Sequence, residues 1–218
     1  ADACVALITP TLEMNDIAEA DMVIEAVFEN MKIKKEIFRK LDSICKDECI
    51  LASNTSTLDV NDIAAQTQRP EWVIGTHFFS PAHIMKLLEV VRADKTNAVT
   101  LATIMKLAKR LKKIAVVVGV CDGFVGNRMV QPYGDEAMFL CEEGATPMQL
   151  DQAVYHWGMA MGPMAMNDLA GLDVSWLIRQ GKAKPTGRYS VIPDRICELG
   201  HFGQKTGSGF FRYEAGSR

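Results

Sequence analysis

Between Asp21 and Val118 short apolar runs take turns with helical patterns: MVIEAVF, then MKIKKEIFRKLDSIC, CILASN, VNDIAAQT, WVIGTHFF, IMKLLEVV, AVTLATIMKLAKRLKK and IAVVV. Strands spaced by helices of that length are joined by right-handed crossovers, so this part is α/β with a mainly parallel sheet. After Gly123 the strand patterns stop and helical ones follow: FVGNRMVQPYGDEAMFLCEEG, MQLDQAVYHWGM, PMAMNDLAGLDVSWLIRQG and VIPDRICELG. Pro163 suits the first position of a helix, where its missing N–H costs nothing. The spacing predicts two domains, residues 1–121 α/β and residues 122–218 all-α, with the boundary near Cys121 to Gly123. The opening ADACVALITPTL reads as the last turns of a helix running into a short strand, GKAKPTGRYS as an exposed loop, and FGQKTGSGFF as a packed C-terminal tail.

Composition removes several classes of function. The 27 acidic and 24 basic residues are mixed along the chain and leave a net charge of -3, which builds no broad field for nucleic acid or an anionic membrane. A small-molecule partner is expected instead. No apolar run reaches the roughly 18 residues of a membrane span. The cysteines (Cys4, Cys45, Cys49, Cys121, Cys141, Cys197) form no C-x-x-C pair, in a chain large enough to fold without disulfides. They read as reduced thiols of an intracellular compartment, and no metal site is predicted.

The chemistry concentrates in GTHFFSPAHIMKLLEVV, residues 75–91. His77 ends a predicted strand, where open parallel sheets place their ligands. Twelve residues on, Glu89 sits in a run too apolar to solvate it, and alternation turns it to one face between Leu88 and Val90. A carboxylate that accepts the proton of one ring nitrogen fixes the tautomer and raises the basicity of the other, as a general base needs. The same spacing also fits a structural hydrogen bond for His77 and a glutamate facing water. LASNTSTL supplies Ser53, Asn54, Thr55, Ser56 and Thr57 at another strand end, able to cap a helix or to hydrogen-bond a ligand. In VCDGFVGNRM, Asn127 is either a pocket donor or a helix-start residue. Glu29 and Lys34, just past the MVIEAVF strand, look by themselves like solvated helix-start charges.

In order and spacing, MVIEAVFENMKIKKEIF, LASNTSTL, GTHFFSPAHIMKLLEVV, DGFVGNRM, MGPMAMNDLAGLD and FGQKTGSGFF resemble the 3-hydroxyacyl-CoA dehydrogenase family over most of the chain, in the wording of the peroxisomal-type multifunctional β-oxidation enzymes. The resemblance implies a partial Rossmann-type NAD-binding domain over residues 1–121 and the family's helical C-terminal domain over 122–218. It implies oxidation of a (3S)-3-hydroxyacyl-CoA to the 3-ketoacyl-CoA with NAD as hydride acceptor. By motif, His77 is the general base, Glu89 holds it, and Ser56 and Asn127 hydrogen-bond the reacting oxygen and position the substrate. Glu29, Lys34, Asn54 and Ser56 lie on the cofactor side.

The family opens with a strand, a G-x-G-x-x-G turn and a helix that hold the pyrophosphate, and about the first third of that domain has no counterpart here. The expectation is a fragment of a larger multifunctional enzyme, with catalytic residues and no competent NAD site of its own. Peroxisomal residence is implied, with the mitochondrial matrix or cytoplasm as alternatives. Other readings are a 3-hydroxybutyryl-CoA dehydrogenase and a noncatalytic acyl-CoA-binding or dimerisation fragment. In the helical half, Met129, Pro132, Tyr133, Glu136 and Leu140 share one face, and Leu169, Leu172, Trp176 and Ile178 supply another apolar surface. Such width predicts a homodimer through the helical domain, or packing on a second helical copy.

Overall fold

The computed structural model describes residues 2–180 and 186–214. It contains two compact units, residues 1–128 and 129–218. The first is built on a five-stranded sheet: β1 (Met22–Glu25), β2 (Ile50–Ser53), β3 (Val73–Phe78), β4 (Leu87–Arg92) and β5 (Ile114–Gly119), in spatial order of their numbers. β1, β2 and β3 run parallel, β4 turns back antiparallel to β3, and β5 is parallel to β4. The sheet is therefore mainly parallel. Helices α2 (Met31–Ile44), α3 (Val60–Ala64) and α4 (Ala98–Arg110) make the crossovers, while α1 (Asp2–Val5) precedes the sheet.

Each crossover helix starts at a side chain that fits the job. Asn30 accepts from the Ile33 amide at α2, Asp59 from Asn61 and Asp62 at α3, and Asn97 from Thr100 at α4. Such caps are worth about 1 kcal/mol each, enough to set where a helix begins but not to hold it on the sheet. Burial does that. One face of the sheet packs Leu51, Val73 and Val91 against Phe38 and Leu41 of α2, Val60 and Ile63 of α3, and Phe124. The other packs Ala52, Ile74, Leu88 and Val90 against Ile104 and Ala108 of α4. A buried side chain of this size contributes roughly 1.5–3 kcal/mol, so these two layers outweigh the caps. Gly75 lets β3 and β4 approach, since a Cβ there would lie 2.6 Å from that of Val91.

The second unit is helical: α5 (Gly126–Glu142, which starts before the division), α6 (Pro147–Trp157), α7 (Pro163–Ala170), α8 (Leu172–Gln180) and α9 (Ile192–Glu198). Thr146 and Gln149 form a reciprocal cap on α6. Pro163 opens α7 as expected, and the Asp151 carboxylate accepts from the amides of Met164 (2.9 Å) and Ala165 (2.8 Å) there. The tail is packed on Asp168, which is 1% exposed: its carboxylate accepts from the amides of Phe210 and Phe211, both at 2.9 Å, and from the Tyr213 hydroxyl at 2.8 Å.

Three expectations are corrected. After α1 the segment through Leu12 forms no strand, and Leu7 and Leu12 are exposed, because nothing in the sheet pairs with it. PMAMNDLAGLDVSWLIRQG is not one helix but two, broken at Gly171, whose φ of 93° lies outside the helical region. Lys34 is not solvated: it lies 1% exposed on the buried stripe of α2 with Phe38 and Leu41. Residues 181–185 of the expected GKAKPTGRYS loop lie outside the described residues. No described helix is long and apolar enough to cross a membrane.

Candidate active site

Antiparallel pairing of β3 and β4 puts His77 opposite Glu89 in register, and alternation turns both to the face that carries Val73, Val91 and Phe124. The His77 Nδ1 lies 2.7 Å from Glu89 Oε2, with the histidine 7% and the glutamate 1% exposed. The other carboxylate oxygen, Oε1, accepts from the backbone amides of Val125 (2.9 Å) and Gly126 (2.8 Å) at the start of α5. Glu89 is thus a pure acceptor whose charge faces a helix N-terminus, a favourable place for an anion. We assign the Nδ1 proton to His77, which leaves Nε2 as a free base. The Phe79 ring packs against the imidazole at a tilt of 46° with ring centroids 4.4 Å apart, and Phe124 lies at 6.0 Å. Between them the imidazole is buried, 7% exposed. Gly126 permits the arrangement, since a Cβ there would meet the Phe79 ring at 2.7 Å.

The parallel strand ends form the rest. Asn54 Oδ1 accepts from the Phe78 amide at 2.9 Å, tying the loop after β2 to the residue beside His77. Asn127 Nδ2 donates to the Ser56 carbonyl at 3.3 Å, which brings those two residues together. Glu29 Oε1 faces the loop from Thr55 to Thr57: it accepts from Thr55 Oγ1 (2.7 Å), from the amides of Ser56 (2.8 Å) and Thr57 (3.1 Å), and from Ser56 Oγ (3.1 Å). Burial alone would raise the pKa of Glu29, but the Thr55 hydroxyl, the Ser56 amide and the Lys34 charge outweigh it and hold the carboxyl below its ordinary range. Glu29 Oε2 lies 3.4 Å from Lys34 Nζ, whose nearer partner is Glu25 Oε1 at 2.7 Å.

Sequence reasoning missed Glu25. It also missed the two amides that hold Glu89, and Lys113, whose ammonium donates to the carbonyls of Ala82 and Met85 and so pins the loop that follows His77. A signal for Glu25 was present, an acid inside an apolar strand, the same anomaly that marked Glu89. Backbone amides leave no such trace.

The described Cys4, Cys45, Cys49, Cys121, Cys141 and Cys197 are free thiols. Burial, first, and then the neighbouring Cys45 push the Cys49 thiol up to about 11, so it is not a nucleophile near neutral pH.

A mainly parallel sheet with a buried histidine–glutamate pair and hydroxyl-rich strand ends, followed by a helical unit, is the architecture of a Rossmann-type protein with an all-α C-terminal domain. Residues 1–121 match the family model for the 3-hydroxyacyl-CoA dehydrogenase NAD binding domain, and residues 123–213 that for the 3-hydroxyacyl-CoA dehydrogenase C-terminal domain. The chain belongs to the 3-hydroxyacyl-CoA dehydrogenase family. It is 51% identical over 218 aligned residues to the peroxisomal bifunctional enzyme of Homo sapiens, an alignment that takes in 94% of this chain and 30% of that protein. The chain thus spans less than a third of the length of such curated relatives. Among solved structures it resembles M. tuberculosis FadB2 (TM-score 0.89, 35% identity, 98% of this chain and 78% of that one). It also resembles the (S)-3-hydroxybutyryl-CoA dehydrogenase PaaH1 from Ralstonia eutropha (TM-score 0.87, 33% identity, 98% and 78%).

Proposed function

We propose that this chain carries the dehydrogenase chemistry of a larger multifunctional β-oxidation enzyme: oxidation of a (3S)-3-hydroxyacyl-CoA to the 3-ketoacyl-CoA, with NAD as acceptor. The observation that carries the reading is the His77–Glu89 pair, 2.7 Å apart and closed off from bulk water, with the second Glu89 oxygen fixed on two backbone amides. Oxidation of a secondary alcohol needs a proton taken from the hydroxyl while the hydrogen on the same carbon leaves with its electron pair. His77 Nε2 takes the proton, and Glu89 stabilises the imidazolium that results. Ser56 and Asn127 hold the reacting oxygen and keep the C–H bond aimed, which is where much of the rate of an oriented transfer originates.

The residues present fit the nicotinamide–ribose end of the cofactor. Glu29 is a carboxylate able to accept from sugar hydroxyls, Lys34 backs it, Asn54 and Ser56 line the adjoining loop, and Phe28, 83% exposed, offers apolar surface beside it. NAD, when bound there, supplies the hydride acceptor. The 218 residues contain no G-x-G-x-x-G turn for the pyrophosphate, so no residue here is assigned to that group. Turnover of the full-length protein with a 3-hydroxyacyl-CoA and NAD, compared with its His77→Gln variant, tests the reading; equal rates would reject it.

The helical unit supports a partner proposal. Of the expected faces, Met129 (71% exposed), Leu169 (53%), Leu140 (45%) and Ile178 (41%) leave apolar surface uncovered, whereas Leu172 is buried at 2%. We assign this surface to a second helical unit, from another copy or from the same longer chain. The peroxisomal name of the human relative supports the same compartment for this protein.

A further inference from the structure

Buried amines are costly unless paired, and Lys34 is paired twice, unequally. Its side chain and that of Glu25 are each 1% exposed, 2.7 Å apart, while Glu29, on the loop side, stands at 3.4 Å. Glu25 is itself held on every side: Oε1 also accepts from the Val27 amide at 2.6 Å, and Oε2 accepts from Ser53 Oγ at 2.7 Å. The register places Glu25 directly beside Ser53 on β2, so the carboxylate cannot follow the lysine if the lysine moves. Lys34 also donates to the Val27 carbonyl at 3.3 Å.

We infer that Glu25 is a positioning residue of the dehydrogenase site, acting through Lys34 and Glu29 on the loop Thr55–Thr57. This rests on the reading of Ser56 and Glu29 given above. Because Glu25 neutralises Lys34, the Glu29 carboxylate is free to turn Oε1 to the Ser56 and Thr57 amides and the loop hydroxyls. Without Glu25 the buried ammonium has one carboxylate left. It closes on Glu29, draws Oε1 away from the loop, and Ser56 loses the two hydrogen bonds it makes to Glu29, keeping the one its carbonyl accepts from Asn127. A carboxylate that only supported the fold would act independently of Glu29; one that acts through it cannot.

The test is amide hydrogen exchange on the full-length protein without cofactor or substrate. Glu25→Gln is expected to speed exchange at Ser56 and Thr57 about tenfold, as Glu29→Gln does, and the double variant to be no faster than Glu29→Gln alone. Unchanged exchange in a folded Glu25→Gln protein, or additive effects in the double variant, overturns the inference. Should Glu25→Gln not fold, the charge-neutral Glu25→Gln/Lys34→Met variant serves: with no ammonium to pull on Glu29, the loop is expected to exchange within about threefold of wild type, and fast exchange there overturns the inference equally. In parallel, Glu25→Gln is expected to lower kcat/KM for NAD about tenfold, with no further loss in the Glu29→Gln background. Failure of the dehydrogenase reading is separable, because it would appear as undiminished turnover in His77→Gln whatever the exchange rates.

Discussion

Glu89 spends one carboxylate oxygen on the His77 ring and the other on the first amides of α5, so a single side chain orients the imidazole and ties it to the residues that precede Asn127. The two jobs respond differently to mutation. On the proposed reading His77→Gln removes the general base, and kcat is expected to fall by about three orders of magnitude, within the usual span for such a group. Glu89→Gln keeps an acceptor for one partner but loses the charge, and the expected fall is smaller, about tenfold to a hundredfold. Steady-state kinetics at saturating substrate on the full-length protein reads both. A larger loss in Glu89→Gln than in His77→Gln would reverse the assignment of roles.

Gly126 provides a subtler probe of the same geometry. An added Cβ would lie 2.7 Å from the Phe79 ring and 3.6 Å from Glu89 Oε1, so the ring that packs against His77 must move. Gly126→Ala is expected to lower kcat about tenfold while changing unfolding free energy by no more than about 1–2 kcal/mol, the cost of modest overpacking. Kinetics and urea unfolding on one preparation separate the two effects.

The pKa of Glu29 is held below its ordinary value of 4.5, so this carboxylate adds stability at pH values above 4.5, and the contribution is lost as the pH falls through the depressed folded pKa. The stability gap between wild type and Glu29→Gln is therefore expected to be constant near neutrality and to close in acid. Urea unfolding in a series of buffers from pH 7 downward measures it, and a gap that widened on acidification would contradict the sign.

Much of this was legible because it follows from pattern. The alternation of apolar runs and helical periods specified strands, crossovers and a mainly parallel sheet, and alternation in LLEVV turned Glu89 to one face between Leu88 and Val90; that this is the face of His77 follows from the antiparallel pairing of β3 with β4. What was not legible depends on tertiary packing. Lys34 follows a helix start and looks like a solvated charge, yet the three-and-four spacing to Phe38 and Leu41 places it on the buried stripe, where Glu25, Glu29 and the Val27 carbonyl make it tolerable. The amides of Val125 and Gly126 carry no residue identity at all, so no reading of side chains could have found them. Gly171 was visible as a glycine, but a positive φ there depends on the turn that separates α7 from α8.

The tail motif FGQKTGSGFF finds its purpose in Asp168. A carboxylate 1% exposed would be a liability without donors, and the Phe210 and Phe211 amides and the Tyr213 hydroxyl supply them. Burial and then the hydrogen bond to Asp168 push the Tyr213 phenol well above its ordinary range, so it remains a donor near neutral pH. Two glycines make room: a Cβ at Gly209 would lie 2.0 Å from Asp168 Oδ1, and one at Gly203 would lie 2.2 Å from the Asp168 carbonyl. Asp168→Asn replaces one acceptor with an amide donor that faces a donor, and the expected loss is about 2–4 kcal/mol of stability, on the scale of a charged group's hydrogen bonds removed with one partner left buried. Gly209→Ala should cost at least as much, since the Asp168 carboxylate and the backbone of Gly203 must both give way. Thermal and urea unfolding of the two variants, with limited proteolysis to follow release of the tail, tests the latch: a tail that stayed protected in Asp168→Asn, with stability unchanged, would show that packing of Phe210 and Phe211 alone holds it.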